Sequence, residues 1–517
     1  MSFPDYATVA VYLLVIIAIG FFCRRHQSRR EFFAASGSMG WFVVGLSVMA
    51  TLFSSNSFVF YPSAAFGHSL RIGLSLVAFT LMTPVVIWIF IPIYARLELE
   101  TAYEYLEKRF HVSVRTLASG LFVLLRIGWM ASATYAASLV IARVASVPQP
   151  TVILVLGAVA ILYTMLGGLR AVMWTDVVQF FVFAATILLT LGLILMKSDS
   201  SVAEVFHTYF AGREGLIVDF QWSMSLKYGS WAILIGIFLE SVSAFGVDQV
   251  AVQRYLSARS QRESQLGAAL NLLGMWIVLP GLLLIGVGLF HWFSVHPGEL
   301  GAGSLSEILT ADPKFADEAM PEFVRLHFPP GLAGLFLAAL IAAIMSSIDS
   351  GIHSVTTALV VDFRDRLFPS LKPATPGREL LSIRLLIVTI GVLAMGLAFL
   401  VGPLGDVFAI GKKLTAAFGG PLLAIFVLAF FFPRAAWGAV LFSVSAATIV
   451  TLVLTVKMDG VWFSVWYWPI GFFLSLALGL ATGLVFRSEP SEFTWRKIMA
   501  HPPRSASSSS PDSNDPS

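Results

Sequence analysis

Stretches of eighteen or more apolar residues, almost free of charge, recur along the whole 517-residue chain. Their length matches a bilayer, because about 20 helical residues cross the roughly 30 Å hydrocarbon layer. Backbone groups in that layer find no water to bond, so each stretch must satisfy them within itself as a helix. Only 12% of the residues are charged, half of the roughly 25% usual in soluble domains. The expected fold class is an all-α polytopic membrane protein.

Thirteen spans are predicted, at 6–22, 41–67, 72–97, 115–145, 151–169, 174–196, 231–253, 264–292, 331–361, 382–402, 406–432, 436–457 and 463–486. The first lacks a basic stretch ahead of it and is followed by "CRRHQSRR", the charge order of a retained helix with its N-terminus outside. The segments 23–40, 98–114, 170–173, 254–263, 362–381, 433–435 and the tail then face the cytoplasm. With flanking residues they hold 22 Lys and Arg against seven on the opposite side, the bias that sets orientation. Residues 1–486 are expected to form one membrane domain with its core at about 41–432. The polar segment 487–517, ending "RSASSSSPDSNDPS", reads as a disordered cytoplasmic tail.

Several functions are excluded. A net charge of +3 without a basic domain offers nothing to nucleic acid. The lone Cys23 supports neither a disulfide nor a thiolate metal site. No obligate protein partner is evident, and the lipid bilayer is the partner that composition leads one to expect.

"AAIMSSIDSGIHSVTT" (342–357) breaks the apolar rule inside the ninth span. At 100° per residue, Ala343, Ser346, Ser347, Asp349, Ser350, His353, Ser354, Thr356 and Thr357 share one half of the helix. Serine and threonine can bond back to their own helix, but an aspartate at mid-membrane costs about 2.5–3.5 kcal/mol. Hard cations take oxygen ligands, so the stripe reads as half of an ion cage. A metal-hydrolase reading of Asp349 and His353 lacks further ligands.

Two other spans are interrupted halfway. The second turns polar at Ser54-Ser55-Asn56-Ser57, and the seventh at Glu240, Ser241, Ser243 and Gly246. They lie five spans apart, as in transporters whose two inverted five-helix halves each open on a broken helix and bind solute between the breaks. Further ionisable residues inside spans are Arg126, Arg143, Asp176 and Glu240, with Lys412 and Lys413 near a helix end.

These segments resemble the sodium:solute symporter family over nearly the whole chain. "YTMLGGLRAVMWTDVVQ" (163–179), "DQVAVQRYLSARS" (248–260), "TAYEYLEKRF" (101–110), the ninth-span stripe and "GGPLLAIF" (419–426) follow the family's order. The resemblance implies the leucine-transporter-like inverted-repeat fold, no enzymatic activity, and sodium-driven uptake across the plasma or inner membrane. It implies a first sodium held by the carbonyls of Ala50, Phe53 and Ala343 and the hydroxyls of Ser346 and Ser347. Some members hold a second sodium near the position of Asp176, with further ligands falling here on Asp349 and Ser350. Asp349 stands where other members often have a neutral residue, which leaves proton coupling through Asp176 and Asp349 as an alternative. The solute is expected between the breaks, near Ser54, Asn56, Ser57, Ser241, Ser243 and Phe245. "RIGWMASATYAASL" resembles branches that carry small organic anions, with Arg126 drawing a carboxylate. A sugar or amino acid, and a membrane sensor on the same scaffold, are the other readings.

Overall fold

The computed structural model describes residues 1–24, 28–52, 55–97, 99–212, 217–300, 304–311, 315–401, 407–486 and 488–500. They are nearly all helical. In chain order come α1 (Phe3–Phe22), α2 (Arg29–Ala34), α3 (Trp41–Leu52), α4 (Ser55–Gly67) and α5 (Leu70–Leu97). The short α6 (Glu104–Arg109) leads into α7 (Val112–Ala145) and α8 (Gln149–Ser198). After α9 (Val202–Gly212) follow α10 (Ala232–Gly246), α11 (Gln249–Leu256) and α12 (Gln261–Val295). The chain continues through α13 (Leu305–Ala311), α14 (Phe315–His327), α15 (Leu332–Leu367), α16 (Pro376–Val401) and α17 (Val407–Phe431). It closes with α18 (Trp437–Lys457), α19 (Ser464–Val485) and α20 (Trp495–Ala500).

Among the described residues nine helices are long and apolar enough to cross a membrane, ten if α10 and α11 count as one bent span. Their outward faces carry Leu14, Leu188, Leu400, Val456 and Leu484, all well exposed, as suits helices that meet lipid. α15 lies at the centre: 83% of its apolar window is buried, against 22% for α1. It packs against α7, α8 and α1. α3 lies along α12 at close range, since a Cβ on Gly45 would sit 2.7 Å from the Gly267 carbonyl oxygen.

The sequence predicted a loop at 170–173, and the structure has none. Those residues are helical, and the 50-residue α8 turns at Gly168 alone (φ 58°, ψ −156°). Only glycine takes that backbone geometry without strain, and a Cβ there would come within 2.8 Å of the Phe32 carbonyl oxygen. The break in the seventh span also lies later than its polar cluster. Glu240, Ser241 and Ser243 remain inside α10, and the chain bends by 46° between Gly246 and Gln249. Ser241 Oγ donates back to the Ile237 carbonyl at 2.6 Å, so its hydroxyl is satisfied without unwinding the helix. Asp248 then caps α11, accepting from the Val250 amide at 2.9 Å.

Three segments expected on one side of the membrane are tied together by charge. Arg29 pairs with Glu100, Asp365 and Glu379, and Arg115 with Glu104, Glu107 and Asp362. Within the segment expected to be disordered from residue 487, Trp495–Ala500 form the helix α20. Trp495, Ile498 and Met499 line one face of α20 against the core, and Tyr105 Oη donates to the Phe493 carbonyl at 2.8 Å; residues 501–517 lie outside the described residues.

Candidate ion and solute site

Two backbone carbonyls of α3, those of Ala50 and Thr51, meet the hydroxyl stripe of α15. Ser346 Oγ lies 2.9 Å from the Ala50 carbonyl oxygen and 3.1 Å from that of Ala343. Ser347 Oγ lies 3.4 Å from the Thr51 carbonyl and 3.5 Å from that of Ala343. Of the expected first-sodium residues, Ala50, Ala343, Ser346 and Ser347 therefore converge. Phe53 lies outside the described residues, and the Thr51 carbonyl joins the group unforeseen. Beside them a cavity of about 10 Å³ is lined by Met49, Ala50, Gln179, Phe183, Ala343 and Ser346, room for about one water-sized species.

One helical turn on, the stripe meets a second cluster. Asp176, from α8, and Arg254, from α11, form an ion pair at 2.8 Å with neither side chain exposed. Ser47 Oγ donates to the same carboxylate oxygen at 2.5 Å. Ser350 Oγ accepts from Arg254 and donates to Asp349 Oδ1 at 3.0 Å. Tyr163 Oη donates to the other oxygen of Asp349. Asp176, Asp349 and Ser350 are thus brought together as expected, but with an arginine among them.

That arginine was counted among the charges of a cytoplasmic segment, and the structure buries it completely. The spacing of Ser47 and Thr51, four apart on α3, was a readable sign of a second oxygen-bearing face. The rest of the stripe is structural. His353 Nε2 bonds the Phe32 carbonyl at 2.9 Å, and Ser354 and Thr357 bond the Gln253 amide at 2.9 and 2.8 Å. Among the described residues no three His, Cys, Asp or Glu side chains are grouped to hold a metal ion, which leaves the hydrolase reading without support.

The expected solute residues are less gathered. Ser54 lies outside the described residues, as does the side chain of Asn56; Ser57 is half-buried on α4. Ser243 Oγ donates to the Gly419 carbonyl at 3.0 Å, and Phe245 is buried. Arg126 is buried in an ion pair with Asp248, at the bend between α10 and α11.

Known proteins resemble this chain over most of its length. The profile of the sodium:solute symporter family matches residues 32–444. The sodium/sialic acid symporter of Proteus mirabilis is 28% identical over 489 residues, 94% of this chain and 96% of its own. The substrate-bound, outward-open structure of a Na+-coupled sialic acid symporter superposes with a TM-score of 0.85 at 27% identity, over 95% of this chain and 99% of that one. Mhp1, a nucleobase-cation-symport-1 family transporter, shares the fold, with a TM-score of 0.55 at 14% identity over 91% of this chain and 98% of its own.

Proposed function

This chain belongs to the sodium:solute symporter family and couples solute movement to sodium, and from that premise we propose that its cargo is a small organic anion. The driving sodium sits between α3 and α15, held by the carbonyls of Ala50, Phe53 and Ala343 and the hydroxyls of Ser346 and Ser347. One observation carries this assignment: Ser346 Oγ lies within 3.1 Å of carbonyl oxygens from both helices. A cation in their midst would turn the hydroxyl's lone pairs inward and replace its hydrogen bonds with ligand bonds. The adjoining cavity has room for about one water-sized species beside the ion.

The solute lies between the two broken spans, against Ser54, Asn56, Ser57, Ser241, Ser243 and Phe245. The anionic class rests on similarity to sialic acid symporters, sialic acid being a carboxylate at neutral pH. Arg126 serves the carboxylate once Asp248 releases it. Rocking of one bundle against the other around this fixed site alternates access. Counting α8 as two crossings at Gly168, α3 with α4 as one, α10 with α11 as one, and α17 as one gives thirteen spans. An odd number puts the termini on opposite sides, and the Lys and Arg bias favours the N-terminus outside and the C-terminus in the cytoplasm.

The test is thermal stabilisation of purified protein by N-acetylneuraminate and by short monocarboxylates, in sodium and in potassium. A ligand at a hundred times its Kd stabilises by about 2.7 kcal/mol, so stabilisation in sodium alone is expected for at least one acid. Stabilisation by a neutral sugar in sodium, with none by any acid, would overturn the anionic class and leave the sodium site standing.

A further inference from the structure

Two helix faces are left partly open at mid-membrane, one on each broken span. On α4, Ser57, Phe60 and Tyr61 are half-buried and share a face at three- and four-residue spacing. On α10, Glu240 and Ala244 are half-buried and four apart, whereas Ser241, Ser243 and Phe245 are buried. Glu240 lies close enough to Tyr61 to act on it electrostatically, which places the two faces around one space. A glutamate this deep in a span avoids lipid and lines a water-filled cavity. Ser241 and Ser243 donate to the carbonyls of Ile237 and Gly419, so the polar group that α10 presents to that space is the Glu240 carboxylate.

We propose that Glu240 is a specificity-determining residue for the cargo. It accepts hydrogen bonds from hydroxyl or ammonium groups at the end of the solute remote from its carboxylate, and it repels a second carboxylate there. The inference rests on the reading above, in which the cargo is an organic anion and Arg126 receives its carboxylate.

The spacing of the two charged groups suits one small molecule. Arg126 meets Asp248 at the bend, just past the end of α10 at Gly246. From Glu240 to Gly246 the helix rises about 9 Å. An extended six-carbon acid spans about 8 Å from its carboxylate to its last substituent, at roughly 3.6 Å for every three bonds. One such solute therefore reaches both groups. An ionised carboxylate only accepts hydrogen bonds, so a methyl end displaces water from Glu240 and returns no donor, which is how a polar site rejects an analogue strongly. A carboxylate end sets like charges side by side.

Four six-carbon acids that differ at the far end test this: gluconate with hydroxyls, 6-aminohexanoate with an ammonium, hexanoate with a methyl and adipate with a second carboxylate. Their affinities for the purified full-length protein in sodium are read from thermal shift, beside that of N-acetylneuraminate. In the wild type, gluconate or 6-aminohexanoate is expected to bind at least about tenfold tighter than hexanoate and adipate, and which of the two leads tells hydroxyl from ammonium. In Glu240→Gln that preference is expected to shrink at least about tenfold, with hexanoate unchanged and adipate improved. Hexanoate or adipate binding the wild type as tightly as the donor-bearing acids would overturn the proposal. So would a folded Glu240→Gln that keeps the wild-type ranking, or that loses every acid alike as damage to the fold would. Where Glu240→Gln does not fold, the wild-type ranking decides. If N-acetylneuraminate alone binds, its affinity is expected to fall about tenfold in Glu240→Gln, and an equal affinity overturns the proposal. Stabilisation by none of the acids is a different failure, which refutes the anionic cargo itself.

Discussion

Ser346 Oγ and the Ala50 carbonyl oxygen lie 2.9 Å apart although 296 residues separate them in the chain. The contact joins the central helix α15 to α3, so an ion bound there would tie the two helices together. Removing both hydroxyls in Ser346→Ala with Ser347→Ala should raise the sodium concentration for half-maximal uptake at least about tenfold, or abolish sodium dependence, each tenfold being about 1.4 kcal/mol. Alanine suits a helix better than serine, so the protein should still insert and fold. Unchanged sodium affinity in the folded variant would remove both residues from the site.

The hydroxyl stripe of α15 was legible because its signal is periodic: hydroxyls three and four residues apart share a face of the helix. Arg254 was not legible. α11 carries Gln249, Gln253 and Arg254, which read as surface, yet all three are at most 1% exposed. Their partners stand at Asp176, Glu100, Ala102, Phe33 and Thr357, contacts that no local pattern encodes. The seventh-span break was misplaced for a related reason. Polarity marked it at Glu240, but Ser241 bonds its own helix, and the capping residue Asp248 is what ends one helix and starts the next.

Gly168 turns α8 between two packed halves. Gly168→Ala adds a Cβ at a positive φ and within 2.8 Å of the Phe32 carbonyl oxygen, and strain of this kind costs on the order of 1–3 kcal/mol. Gly192→Ala on the same helix meets nothing within 4 Å and should be neutral or slightly stabilising. Melting temperatures of the two variants in detergent check the contrast, and equal values would refute the assigned strain.

Asp362 is fully buried at one end of α15 and receives Thr101 Oγ1 at 2.7 Å, Ser119 Oγ at 2.8 Å and Arg115 Nε at 2.8 Å. Arg115→Met removes the only full charge among those three donors and should destabilise by about 3–5 kcal/mol, the usual cost of stranding a buried ion. Adding Asp362→Asn should recover part of the loss. A double variant less stable than the single would show that Arg115 matters through its other partners, Glu104 and Glu107.

Glu107, outside the spans on α6, gives this end of the molecule a pH dependence. Burial opposes its charge, but hydrogen bonds from Arg115 and Arg366 outweigh burial and hold its carboxyl below the ordinary glutamate range. A carboxyl lowered in the folded state stabilises fully above its unfolded value of about 4.3 and loses that contribution as pH falls through the folded value. The difference in melting temperature between the wild type and Glu107→Gln should be constant above about pH 5 and shrink as pH is lowered toward 3. Because Arg366 is half exposed, the plateau should also narrow in high salt. A difference that grows on acidification would reverse the sign of the argument.

When one sodium enters with each solute, the energetics depend on the charge of the cargo. Sodium entry yields about 2.3 kcal/mol per 100 mV and roughly 1.4 kcal/mol for a tenfold gradient. A neutral solute would receive both contributions, enough for about 500-fold accumulation. A monoanion cancels the sodium charge, so the potential does no work and accumulation is limited to about tenfold for the same gradient. A one-sodium carrier in proteoliposomes should therefore accumulate a monocarboxylate to the same level with and without an imposed inside-negative potential. A two-ion cycle would move net positive charge inward, and the potential would multiply the final level about 50-fold per 100 mV. Steady-state accumulation at clamped potential thus separates one sodium from two without assuming where either binds.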